Sequence, residues 1–135
     1  MTFEHSGSVT TSAASAAVWA LWSDVTTWST WDPAVEQVTL DGAFAVGTTG
    51  TMTLRGGIEA PFTLEVVAAD ARYLDQLTIG DLVIRIDHVL SAIADGTEIT
   101  VSTTIDGPGA DDVGPMVTAD VPVALEALVS LAERG

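Results

Sequence analysis

From Val35 to Asp106 the chain passes through strand-like segments divided by turn signals, and nowhere among them does the apolar spacing take a helical period. VEQVTL (35–40) ends at Asp41-Gly42, TGTMTL (49–54) at Gly56-Gly57, and PFTLEVVAA (61–69) at Asp70. YLDQLTI (73–79) ends at Gly80-Asp81, LVIRIDHVLSAI (82–93) at Asp95-Gly96, and TEITVSTTI (97–105) at DGPG. Asp-Gly and Gly-Gly between apolar runs are hairpin signals. Connections this short cannot hold a crossover helix, so the strands must pair as an antiparallel meander.

The flanks set what the meander packs against. FEHSGSVTT (3–11) reads as a first strand with Phe3, His5, Gly7 and Val9 on one face. Over Ala13–Val25 the spacing becomes helical, with Val18, Leu21, Trp22 and Val25 in one stripe and Ser12 or Ser15 as the expected N-cap. Pro33 bars Asp32 from the helical region, so TTWSTWD holds a short second helix or a turn. In the tail, Val117, Val121, Ala124, Leu125, Leu128 and Ala132 form one apolar stripe, which predicts a helix over about 112–133. Pro122 either starts that helix late or kinks it. The predicted class is α+β: an antiparallel sheet of six or seven strands wrapped around a long C-terminal helix, with two short helices after the first strand. Residues 1–135 are expected to form one domain.

Charge and cysteine content narrow the function. The 135 residues carry 19 Asp and Glu against four Arg and no Lys, a net charge of −15. Such a surface repels phosphate backbones and anionic head groups, which argues against nucleic acid and against membrane insertion, and it serves solubility. Without cysteine there are no disulfides and no thiolate metal sites. The two histidines, His5 and His88, stand in no metal-binding spacing, DGPGADD lacks the alternation of a calcium loop, and without lysine there is no P-loop. No cofactor is therefore expected. MTFEHSGS has no basic signal region, so a cytoplasmic location is expected. Oligomeric state is left open.

Four stretches together resemble one superfamily. VWALWSDVTTWSTWDP is similar to the opening helix pair, FAVGTTGTMTL to the Gly-punctuated second hairpin, and IDHVLSAIADGTEIT to a histidine-bearing strand entering a Gly-Thr hairpin. DGPGADD with LEALVSLAE is similar to the Gly-Pro loop and final helix. They span nearly the whole chain in order. They resemble the SRPBCC superfamily, the START and birch-pollen-allergen-like helix-grip proteins, and within it the polyketide cyclase/dehydrase group. The resemblance implies a seven-stranded sheet gripping the last helix over a cavity. It leaves the activity open, since members include lipid carriers, cyclases, hydroxylase subunits and chaperone activators.

Strand parity indicates what would line such a cavity. In LVIRIDHVL the charges Arg85 and Asp87 share one face, which turns Ile84, Ile86 and His88 to the other. The same alternation groups Met52 with Leu54, Phe62 with Leu64 and Val66, and Val101 with Thr103. Val117, Val121 and Leu125 of the last helix would cover them. Trp28 and Trp31 border the cavity mouth in the resembled family and are read as pocket wall or as plain packing, while Trp19 and Trp22 are read as core. YLDQLTI has polar residues on both faces, and its inward side cannot be assigned. The concave face is otherwise apolar, with His88 and Thr103 as its polar members. His88 is expected inside and neutral, either as a satisfied core histidine or as an acid/base for a ligand. Two functions follow: a module that binds a hydrophobic small molecule such as a polyketide or lipid, or a polyketide cyclase/dehydratase that uses His88.

Overall fold

The computed structural model describes residues 2–134; the outermost residues of the expected 1–135 domain lie outside them. The elements run β1 (Thr2–Thr11), α1 (Ser15–Trp22), a single 3-10 turn (Val25–Thr27), α2 (Trp28–Trp31), β2 (Val35–Leu40), β3 (Thr49–Leu54), β4 (Ile58–Ala68), β5 (Arg72–Ile79), β6 (Leu82–Ile93), β7 (Gly96–Asp106), α3 (Ala110–Thr118) and α4 (Val121–Arg134). One antiparallel sheet has the order β1-β7-β6-β5-β4-β3-β2, so the meander pairs neighbour to neighbour and β1 closes on β7.

Each turn signal marks a turn, and the strands extend up to it. β4 begins at Ile58, three residues before the apolar run, because Gly56 and Gly57 take positive φ and return the chain at once. Asp70 supplies the left-handed position between β4 and β5 (φ 62°). Gly96 opens β7 at φ 147°, where a side chain would meet the Thr11 carbonyl at the end of the neighbouring strand β1. Gly96→Ala is therefore expected to lower stability by about 3 kcal/mol, read as a shift in the urea midpoint. An unchanged midpoint would mean this corner is not closely packed.

Three local expectations are corrected. Neither Ser12 nor Ser15 caps α1: Ala14 holds the cap position, and Ser15 Oγ instead lies 3.2 Å from Thr97 Oγ1 on β7. α1 ends at Trp22, and Val25 enters the 3-10 turn, held by Asp24, whose carboxylate accepts from the Thr26 amide at 3.1 Å. In β4 the register shifts between Leu64 and Val66, a bulge at Glu65 that reverses the alternation. Val67, not Val66, therefore packs against the core.

The tail helix starts at Ala110 and divides around Ala119–Asp120. Pro122, in the first turn of α4, has no N–H to return to the Thr118 carbonyl, so the ladder is interrupted there and restarts. By length and composition the run Ala110–Arg134 could cross a bilayer, yet its buried stripe is committed to the sheet. Gly114 of α3 lies against the Phe3 ring, Val121 and Leu125 of α4 lie over Gly7, and Thr11 Oγ1 donates to Glu133 Oε2 at 2.7 Å. The last helix thus follows β1 along the concave face. At the helix break Asp120 accepts from Arg55 Nη2 at 2.6 Å, tying it to the β3–β4 turn across the sheet.

Candidate functional site

Sheet parity alone brings the polar interior together. β5 and β6 pair with Tyr73 opposite His88 and Asp75 opposite Ile86. The inward face of β5, which its sequence does not disclose, consists of Tyr73, Asp75 and Leu77, all buried. Asp75 is the polar residue that reading the sequence misses. Tyr73-Leu74-Asp75-Gln76-Leu77 offers polar and apolar candidates to both sides, and only its register against Leu64 and Ile86 decides between them.

Tyr73 is the hub of an aromatic cluster. Its ring stacks on His88 with centroids 3.8 Å apart and 7° between planes. Trp22 meets both edge-on, at 5.3 and 5.5 Å. Trp28 lies 5.8 Å from Tyr73, Trp19 6.4 Å, and Phe44 of the β2–β3 loop 5.3 Å. Trp28 Nε1 donates to the Trp22 carbonyl at 2.9 Å and Trp31 Nε1 to Thr27 Oγ1 at 3.3 Å, which locks the α1–α2 corner. The clustered tryptophans are packed against the sheet, with Trp19 alone half-buried.

The other expected lining residues divide by depth. Met52, Phe62, Leu64, Ile84, Thr103 and Leu125 are buried; Leu54, Ile86, Val101, Val117 and Val121 are half-buried against the same core. Arg85 and Asp87 face outward as expected, and Arg72 grips Asp87 through Nε at 2.8 Å and Nη2 at 3.0 Å. Two depressions of about 300 and 310 Å³ lie over outward side chains, the first beside Thr49, Thr51, Thr63 and Thr78, the second beside Glu4, Ser6, Ser102 and Thr104. Neither opens onto Tyr73, Asp75 or His88.

Electrostatics set the state of each buried group. His88 Nδ1 lies 3.2 Å from the Tyr73 carbonyl, which can only accept, so Nδ1 carries the proton and Nε2 keeps a lone pair. Burial lowers the His88 pKa to about 4, against a smaller upward pull from the Tyr73 carbonyl, so the ring is neutral at pH 7. Asp75 is 1% exposed, and burial raises its carboxyl to about 8; its own backbone amide pulls down and Asp32 pushes up. Burial also raises Asp32, at the end of α2, and Tyr73. At neutral pH the interior therefore presents a protonated acid and a neutral imidazole.

A curved antiparallel sheet closed on its C-terminal helix, with polar groups sunk in an aromatic interior, defines a helix-grip protein of the SRPBCC type. Residues 2–133 match the family described as polyketide cyclase / dehydrase and lipid transport, and the chain belongs to that family. Among solved structures it is similar to a protein of Mesorhizobium loti (14% identity, 98% of each chain covered, TM-score 0.85). It is also similar to the protein Ara h 8.0201 (16%, 100% of each chain, TM-score 0.78) and to norcoclaurine synthase from Thalictrum flavum (18%, 100% of this chain and 88% of that one, TM-score 0.77). No curated protein matches the chain by sequence.

Proposed function

We propose that the chain is a single ligand-binding domain that holds a hydrophobic small molecule between the curved sheet and α4. The observation that carries this reading is how the apolar face is covered. Phe44, from the loop between β2 and β3, closes over Tyr73, Trp19 and Trp28, while its neighbours Ala43, Ala45 and Val46 stay exposed. Swinging that loop outward uncovers aromatic surface without breaking the ladder between β4, β5 and β6. The family's description, which includes lipid transport, agrees with such an occupant.

Each buried CH₂ contributes about 0.8 kcal/mol, so a ten-carbon chain supplies roughly 8 kcal/mol before the costs of association. Affinities of about micromolar or weaker, tightening with chain length, are the expected result of titrating fatty acids and aromatic polyketides by tryptophan fluorescence. Phe44→Ala should strengthen binding of the bulkier ligands. A panel that gives no saturable signal would remove the pocket reading.

A cyclase or dehydratase with His88 as acid/base is the second reading, favoured by the acid and imidazole sharing one interior. It is the weaker one, because an imidazole titrating at about 4 is a poor base at neutral pH. Cyclisation of a poly-β-ketone substrate, lost in His88→Leu, would promote it above simple binding.

A further inference from the structure

Around the Tyr73 ring the fold leaves two buried polar atoms without partners, Asp75 Oδ1 and Trp22 Nε1. Each such atom costs about 1–3 kcal/mol. For Asp75 the fold gains nothing in return, since a leucine there would continue the apolar face of Leu64, Leu77 and Ile86. Among the described residues no cation lies beside the carboxyl to hold it as an anion. The titratable groups nearest it on the inward face are Tyr73 on its own strand and Asp32 at the end of α2, with His88 diagonally across on β6, opposite Tyr73. Arg55 reaches only towards Asp32 and Asp120 near the helix break. An acid in that setting keeps its proton and presents an O–H donor to whatever enters.

We propose that Asp75 is the specificity-determining residue of the interior site, donating its carboxyl proton to the carbonyl oxygen of a neutral, otherwise apolar ligand. The site then takes ketones in preference to hydrocarbons of the same shape. This inference rests on the reading that a ligand enters between sheet and helix, and its test separates the two.

Equilibrium dialysis of 2-acetylnaphthalene and 2-ethylnaphthalene, which differ by a carbonyl in place of a methylene, provides the measurement. The wild-type protein at pH 7 is expected to hold the ketone about tenfold more tightly, the worth of one hydrogen bond that relieves an unpartnered group. Asp75→Leu should reduce that ratio to less than twofold. Asp75→Asn should preserve it, because the carboxamide still donates. At pH 9.5 the wild type should lose its preference, as a carboxylate cannot donate, while Asp75→Asn keeps it; a merely structural aspartate would not produce that crossing. Equal binding of the two naphthalenes by the wild type, or a preference that survives in Asp75→Leu, overturns the role of Asp75 and leaves the pocket standing. Binding of neither overturns both.

Discussion

Asp75→Asn should stabilise the protein by an amount that grows with pH, from nothing near pH 4 to on the order of 5 kcal/mol above pH 8. The carboxyl titrates near 3.8 when unfolded and near 8 when folded. Between those values the folded state holds a proton that the unfolded state has released, so stability falls by about 1.4 kcal/mol per pH unit. His88 acts in the opposite sense over a different window. Its pKa drops from 6.5 to about 4 on folding, so between those values the unfolded state holds the extra proton and stability rises with pH, by about 3 kcal/mol in total. In the wild type the two slopes cancel between pH 4 and 6.5, leaving a net decline between 6.5 and 8. Removing Asp75 exposes the rising limb of His88. His88→Leu exposes the falling limb of Asp75 over its whole range. Urea unfolding of the three proteins at pH 4, 6.5 and 8.5 resolves these shapes. Differences between variant and wild type cancel the titration of the other carboxylates, and a pH-independent difference for Asp75→Asn would show that this side chain is not buried as described.

Trp22→Ala should cost about 3–5 kcal/mol, the range for emptying an aromatic site in a close-packed core. Trp22 is fully buried, and its ring meets both Tyr73 and His88 edge-on, an arrangement worth about 0.5–1.5 kcal/mol per pair beyond area alone. Its indole N–H has no acceptor, so the loss is one of packing and not of hydrogen bonding. Trp22→Phe, which discards that orphaned donor and keeps most of the ring, should therefore cost less than half as much. Trp19→Ala is the companion measurement: this ring is half-buried on the same helix, and about 1–2 kcal/mol is expected. Equal losses at the two positions would mean that the cluster is not centred on Tyr73.

Sequence by itself determined the parts of this protein that follow local rules. Glycine and aspartate at the turns fixed where strands end, and VEQVTL, TGTMTL and LVIRIDHVLSAI are strands over those very residues. Two charges at alternate positions placed His88 inside, because in a pleated strand neighbours must point to opposite faces. The stripe from Ala124 to Ala132 named the buried side of the last helix. Where the rule is local but an exception is inserted, the sequence was silent. The bulge at Glu65 exchanged Val66 for Val67, since an extra residue on one strand is visible only against its partner. The interior chemistry was likewise decided by tertiary structure. β5 carries polar residues at Asp75 and Gln76 on opposite faces, so either side could have gone inward, and pairing with Leu64 and Ile86 chose Asp75. Burial, which no single strand can supply, then fixed the protonation of that carboxyl and of His88. The tryptophans show the same division: their helices were legible from spacing, but their convergence with Phe44 on Tyr73 arises only when loop, helices and sheet close on one another.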